Sequence, residues 1–126
     1  MNLSAICHRC TYTDCYPLNS QEIIVNIRTG KDVTDVQIIH DDPFAHGCTG
    51  HKPWSGTPTP MRRTWELKNG YIWSVTLRPR YKREQYYFFL SDGQETRLMF
   101  EDDFYTPEEA GRPGRLKQFF KFPWLN

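Results

Sequence analysis

Two short segments in the first third of the chain alternate apolar and polar residues with a period of two. Such alternation is typical of strands that bury one face, because successive side chains of a strand point to opposite sides of the sheet. Residues 30–32 form a polar connection between the two predicted strands. The apolar residues on the predicted inward parity are Ile23, Val25, Ile27, Val36 and Ile38.

A hairpin is predicted in the middle of the chain. Residues 62–67 and 71–78 flank Asn69 and Gly70, a dipeptide favoured in two-residue hairpin turns. The returning strand places Trp73 on its apolar parity, so we expect this indole to anchor the core.

A second hairpin joins residues 84–90 to residues 95–100 through a Ser-Asp-Gly turn. We expect the two hairpins to be neighbours. The strand at residues 84–90 is aromatic on both parities, with Tyr87 and Phe89 on the outward one. Something must therefore cover its outer face.

Residues 106–117 contain two prolines and two glycines, which limit any helix there to about one turn. Thr106 and Glu109 have the spacing of a capping box for that turn. Other helical signals are few. The pattern as a whole predicts an all-β fold, an Ig-like antiparallel β-sandwich of about seven to eight strands.

A chain of 126 residues suits a single domain, residues 1–126, with a core of its own. Its 16 Lys and Arg residues nearly balance its 15 Asp and Glu residues, and the formal net charge of +1 argues against a nucleic-acid partner. The N-terminal residues lack a basic leader and a long apolar run, so we expect no membrane insertion and a cytoplasmic location.

Soft metal ligands occur in two patches of the sequence. Zinc is chemically possible there, but the spacing departs from knuckle patterns, and strand alternation would point Cys7 and His8 to opposite faces. The pattern favours reduced structural thiols and no cofactor, and it leaves zinc, a disulfide, and calcium at Asp41, Asp42 or residues 101–103 as alternatives. The patch residues are Cys7, Cys10, Cys15, His46, Cys48 and His51.

Catalytic carboxylates are not expected in this chain. Glycoside hydrolysis normally uses two carboxylates about 5 to 9.5 Å apart. The acidic groups at Asp41, Asp42 and residues 101–103 lie at predicted strand ends beside turn residues, where such side chains usually cap backbone amides.

Several stretches of the chain resemble one enzyme family in order and approximate spacing. Arg28 and Thr29 precede the polar connection, and the sequence Asp-Asp-Pro-Phe ends at Phe44 after the second strand. Residues 77–83 form a strand end with a Pro-Tyr-basic corner, and residues 122–125 read Phe-Pro-Trp-Leu. Together these resemble the N-terminal domain of neopullulanase, cyclomaltodextrinase and maltogenic amylase enzymes, over most of the chain.

The resemblance implies a starch-binding Ig-like domain, of carbohydrate-binding module family 34, that is not itself catalytic. It implies a parent polypeptide with a glycoside-hydrolase barrel beyond residue 126. It also implies an α-glucan ligand (starch, maltodextrin or cyclodextrin) and a homodimer, in which the loop at residues 44–57 covers the partner's active-site cleft.

Aromatic residues outside the alternating core are the predicted carbohydrate-binding residues. A flat ring can hold the C–H face of a glucose unit while nearby polar groups bind its hydroxyls. Trp54 lies with His51 and Lys52 in a loop rich in Pro and Gly, residues 44–60, and Trp65 lies in a strand of weak apolar pattern. The alternative for each tryptophan is burial under a loop.

Outward aromatic residues are also the predicted contacts with the catalytic barrel or a second subunit. The alternative is that a loop or the C-terminal tail covers the outer face of the strand at residues 84–90. A purely structural interaction domain without sugar affinity, or a zinc-stabilised domain, is then the alternative function. We expect Tyr81 to be a corner residue with a packed ring. The predicted interface residues are Phe44, Tyr87, Phe89 and Trp124.

Overall fold

A computed structural model of the chain describes residues 1–11, 13–44, 54–112 and 117–122. In this part the chain forms ten strands and two short helical turns, a 3-10 turn at Leu3–Ala5 and α1 at Pro107–Ala110. The strands are β1 (Cys15–Pro17), β2 (Ile23–Gly30), β3 (Asp35–Asp41), β4 (Thr57–Pro60), β5 (Arg62–Leu67), β6 (Gly70–Leu77), β7 (Glu84–Ser91), β8 (Thr96–Met99), β9 (Phe104–Tyr105) and β10 (Phe120–Phe122).

The strands form two antiparallel sheets, which confirms the predicted all-β sandwich. The first sheet has the strand order β1-β2-β6-β5, and the second has the order β4-β3-β7-β8-β9, with β10 paired to β7. Strand β7 therefore pairs with β3 along one edge, and with β10 and then β8 along the other. The ten strands exceed the predicted number because several of them are only two to four residues long.

The core lies between the two sheets. The polar connection at residues 30–32 carries the chain from β2 in the first sheet to β3 in the second. All five residues predicted to face inward on these strands are fully buried, as their alternation requires. Trp73 on β6 is 4% exposed, and its Nε1 donates a hydrogen bond of 2.8 Å to Thr29 Oγ1, so the expected core anchor is confirmed.

Both predicted hairpins are present, as β5–β6 and β7–β8. They do not pair with each other, because β6 pairs with β2 while β7 pairs with β3 in the opposite sheet. The two hairpins instead contribute residues to the same core, such as Trp73 and Phe88. The expectation that the two hairpins are neighbours in one sheet is therefore wrong. They lie in different sheets, because the chain passes from the first sheet to the second between β6 and β7.

Two local features complete the fold. Residues 57–60, predicted as loop, form the edge strand β4, which tolerates its two prolines because only one side of it pairs. The predicted capping box is confirmed, since Thr106 Oγ1 accepts from the Glu109 amide and the Glu109 carboxylate accepts from the Thr106 amide, each at 3.1 Å. As expected, α1 is a single turn.

Candidate functional site

In the part of the chain that the structure describes, the outward side chains of the first sheet are half-buried or exposed on all four strands. Residues paired across antiparallel strands project to the same side of the sheet. Because Ile27 and Trp73 form one inward pair, the adjacent pairs face outward. The rows of this outer face are Trp65–Ile72–Arg28, Arg62–Ser74–Asn26 and Thr76–Ile24–Tyr16.

Trp65 is an exposed large hydrophobic residue on this face, at 66%. A β-bulge between Arg63 and Trp65 shifts the register of β5 against β6. Simple alternation would place Trp65 on the inward parity of Arg63, whereas the extra residue turns its indole outward beside Ile72. The bulge thus converts an edge position into an exposed aromatic platform.

A groove of about 430 Å³ lies beside this platform, lined by Tyr16 at one edge and by polar side chains along its floor. Ser74 Oγ donates to Asn26 Oδ1 at 2.6 Å, and Thr64 Oγ1 lies 2.8 Å from Ser74 Oγ. Asn26 Nδ2 in turn donates to a backbone carbonyl at 3.0 Å. These bonds fix a row of amide and hydroxyl groups at the surface, where each retains capacity for a further hydrogen bond.

Trp54 lies elsewhere, against the outer face of the second sheet. Its indole is partly buried, and its Nε1 donates to the Asp42 carbonyl at 2.9 Å. The ring meets Phe119 edge-on at 4.8 Å and Tyr87 at 6.5 Å between centroids. Trp54 and Trp65 therefore do not form one site. The predicted residues His51 and Lys52 lie outside the described residues.

Tyr87, a predicted interface residue, is covered from within the chain. Its ring stacks on Phe100 at 4.5 Å with an interplanar angle of 13°, and Phe119, immediately before β10, lies 6.1 Å away. Burial raises the pKa of the Tyr87 hydroxyl. Other parts of the same chain therefore cover the Tyr87 ring. This arrangement matches the alternative in which a loop or the C-terminal tail, and not the barrel or a second subunit, covers the outer face of β7. Phe89 is half-buried on the same strand, and Trp124 lies outside the described residues.

A second exposed aromatic group lies at the corner between β3 and β7. Arg83 binds Asp42 through two hydrogen bonds, of 2.5 and 3.2 Å, and its guanidinium lies 4.8 Å from the centroid of the Phe44 ring and 5.9 Å from that of Tyr81. Phe44 is 53% and Tyr81 is 59% exposed. The prediction that the Tyr81 ring packs is wrong, because the corner projects it into solvent.

Asp42 itself is 5% exposed. Burial disfavours its charged form, but the hydrogen bonds from Arg83 and from the Phe44 amide outweigh that effect, so the pKa of Asp42 lies below its usual value. Asp42 is thus a structural carboxylate that holds the corner together. Sequence reasoning missed the pair with Arg83, since 41 residues separate the two.

The predicted metal ligands are only partly described. Within the described residues, no group of three or more His, Cys, Asp and Glu side chains is positioned to hold a metal ion. Cys7 is exposed and His8 is 5% exposed, on opposite sides as alternation indicated. Cys7, Cys10 and Cys15 are free thiols, and His46, Cys48 and His51 lie outside the described ranges.

The other acidic cluster also has structural partners. Asp102 accepts hydrogen bonds from the Tyr105 hydroxyl and from the Gln118 amide, the latter at 3.0 Å. Asp103 Oδ1 accepts from the Phe104 amide at 2.7 Å.

In the described part of the chain, no helix is long and apolar enough to span a bilayer.

Known proteins resemble this chain over its whole length. The sequence model of a family described as alpha amylase, N-terminal Ig-like domain, matches residues 1–126. An intracellular maltogenic amylase from Bacillus subtilis (strain 168) is 27% identical over 127 residues, covering 100% of this chain and 21% of that protein. A cyclomaltodextrinase from Bacillus sp is 33% identical over 127 residues, with the same coverage of 100% and 21%.

Among solved structures, a cyclomaltodextrinase superimposes with a TM-score of 0.81 at 29% identity, covering 100% of this chain and 20% of that one. The chain thus spans about a fifth of the length of the relatives that it matches.

Proposed function

Since this chain belongs to the alpha-amylase N-terminal Ig-like domain family, we propose that it is a non-catalytic accessory domain that binds α-glucan for a glycoside hydrolase. The relatives named maltogenic amylase and cyclomaltodextrinase support a parent polypeptide that hydrolyses glucans, in which this domain precedes a catalytic barrel. The relative named intracellular supports a cytoplasmic location. The observation that carries the sugar-binding proposal is the exposed Trp65 beside a polar groove.

The chemistry of the outer face of the first sheet suits a sugar. The indole of Trp65 offers a flat apolar surface to the C–H face of a glucose unit. The fixed groups of Asn26, Ser74 and Thr64 can exchange hydrogen bonds with sugar hydroxyls, and the Arg62 guanidinium lines the same groove as a donor. Apolar stacking and polar recognition are therefore available on one surface.

The size of this face favours an oligosaccharide over a single sugar. Trp65 and Tyr16 lie on the two edge strands, β5 and β1, of a four-stranded sheet. Strands are spaced about 4.8 Å apart, so three spacings alone separate the two aromatic residues by roughly 14 Å, and their offset along the strands adds to this distance. A ligand that contacts both rings must span several glucose units.

The test is a titration of the 126-residue chain with maltoheptaose and β-cyclodextrin, followed by tryptophan fluorescence and calorimetry. Trp65→Ala should weaken binding at least tenfold, equivalent to about 1.4 kcal/mol, because the stacking surface is lost. Trp65→Phe should retain part of the affinity. Trp54→Phe is the matched control, since Trp54 packs against the other sheet and its loss should leave sugar binding unchanged.

A second candidate function is an interaction domain that contacts the barrel or a second subunit and has no sugar affinity. The exposed rings of Phe44 and Tyr81, both near the Arg83 guanidinium, favour this candidate, since such aromatic and Arg groups are enriched in interfaces. No response to either glucan, together with dimerisation only when the barrel is present, would favour it over sugar binding.

A further inference from the structure

A polar pair lies at one end of the inner face of the second sheet. His40 on β3 has the inward parity of Ile38, and Glu84 on β7 has the inward parity of Tyr86. Glu84 is 4% exposed, and His40 is half-buried. Because burial removes a carboxylate from water, Glu84 requires a hydrogen-bond donor or a cation beside it.

The His40 imidazole makes one short hydrogen bond. Its Nε2 lies 2.7 Å from Thr59 Oγ1, on the edge strand β4 that pairs with β3. Its Nδ1 lies 3.5 Å from Glu84 Oε1, which is longer than the roughly 2.7 to 3.2 Å of an N–H···O hydrogen bond. Among the described residues, neither His40 Nδ1 nor Glu84 Oε2 has a hydrogen-bond partner, although both atoms are buried.

The bond to Thr59 defines what Nδ1 can do. When Nε2–H donates to Thr59 Oγ1, Nδ1 carries a lone pair and no proton. Nδ1 and the Glu84 carboxylate are then two electron-pair donors close together in a buried place. A cation bound by both groups would stabilise this arrangement.

We propose that His40 Nδ1 and the Glu84 carboxylate bind one divalent metal ion, Zn²⁺, whose remaining positions are filled by water. The proposal rests on the separation of the two groups, their burial and the two atoms without hydrogen-bond partners. It is independent of the sugar-binding proposal.

The separation of the two groups favours zinc over other divalent ions. Zinc binds imidazole nitrogen and carboxylate oxygen at about 2.0 to 2.1 Å, so two such ligands at a tetrahedral angle lie about 3.3 Å apart. The observed 3.5 Å is close to that distance, whereas two ligands at the right angle of an octahedral site would lie about 2.9 Å apart. Mg²⁺ and Ca²⁺ also prefer oxygen ligands, and imidazole nitrogen suits zinc.

Thr59 is the positioning residue of this site. A histidine that binds a metal usually donates its other ring N–H to an acceptor, which fixes the tautomer and the ring orientation. Thr59 Oγ1 is placed to be that acceptor. The neighbouring cation Arg83 binds Asp42, so the pair of His40 and Glu84 keeps its negative charge for a metal ion.

The test is a titration of the metal-free 126-residue chain with Zn²⁺, followed by calorimetry and thermal unfolding. One ion should bind to each chain and raise Tm, because the folded chain holds the two ligands together. Glu84→Gln and His40→Gln should each weaken binding at least tenfold, and Thr59→Val should weaken it by a smaller factor. Glu108→Gln is the matched control, since Glu108 is exposed on α1 and its loss should leave zinc binding unchanged.

Stability distinguishes a metal site from a simple ion pair. Without metal, Glu84→Gln should be at least as stable as the unsubstituted chain, because the substitution removes a buried charge. With saturating Zn²⁺ the order should reverse. An equal loss of stability in Glu84→Gln with and without Zn²⁺ would contradict the site and would indicate a direct ion pair of His40 with Glu84.

Co²⁺ distinguishes this site from the cysteines of the chain. Tetrahedral Co²⁺ bound by nitrogen and oxygen should absorb visible light without the near-ultraviolet band of a cobalt–thiolate bond. That band, or binding that is lost in Cys48→Ser but kept in His40→Gln, would overturn the proposal. Failure of the folded, unsubstituted chain to bind Zn²⁺ would also overturn it, and this result does not depend on whether any variant folds.

Discussion

The outer faces of the two sheets differ in what covers them. On the second sheet, aromatic residues from distant parts of the same chain lie over Tyr87, among them Trp54, Phe100 and Phe119. On the first sheet, Trp65 is 66% exposed beside a polar groove. The covered face contributes to folding stability, whereas the open face leaves apolar and polar groups free for a ligand.

The largest expected effect is on stability, and it should arise only on the covered face. Tyr87→Ala removes a ring that stacks on Phe100 and should lower the free energy of unfolding by about 2 kcal/mol. Trp65→Ala, on the open face, should change it by no more than about 0.5 kcal/mol. Urea unfolding followed by circular dichroism measures both.

Tyr87→Phe is the matched control, because it keeps the ring and removes only the hydroxyl. Its stability should stay close to that of the unsubstituted chain. Equal losses from Tyr87→Ala and Trp65→Ala would show that the two faces do not differ in the way described.

A second prediction concerns pH and the corner of the covered sheet. The folded-state pKa of Asp42 is lowered from its usual 3.8, so its ion pair with Arg83 stabilises the fold above that pH. This contribution is lost as the pH falls below 3.8 through the folded-state pKa. Asp42→Asn should therefore be less stable than the unsubstituted chain at neutral pH, and the difference should narrow in acid.

Urea unfolding at several pH values between about 7 and 2 measures that difference. Asp35→Asn is a suitable control, since Asp35 is exposed at the start of β3. A difference for Asp42→Asn that stays constant down to the lowest pH would contradict the assigned ion pair.

The smallest expected effect is on the open face. Ser74→Ala removes the donor to Asn26 and a hydroxyl from the groove floor, and it should weaken glucan binding about threefold, the scale of one hydrogen bond in water. Ser20→Ala, at an exposed serine before β2, is the control for calorimetry. Affinity that is unchanged in Ser74→Ala but lost in Trp65→Ala would restrict recognition to stacking.

Local patterns in the sequence were sufficient for much of the framework. Strand periodicity identified the inward positions of β2 and β3, because side-chain direction alternates regardless of what packs against it. The capping box at Thr106 and Glu109 was also readable, since both partners lie within one helical turn. The resemblance to the family likewise depended on short sequence segments that occur in the same order as in the family, such as residues 77–83 and 122–125.

The tertiary structure decided which aromatic residues are exposed. Alternation alone would turn Trp65 inward, and only the bulge on β5, formed against β6, turns it outward. Both Trp54 and Trp65 were predicted to bind sugar. In the structure, Trp54 packs against the outer face of the second sheet, whereas Trp65 lies on β5 of the first sheet. The ion pair of Asp42 with Arg83 and the hydrogen bond of Trp73 with Thr29 join residues 41 and 44 positions apart. Such long-range pairs depend on how the sheets assemble, which local periodicity does not specify.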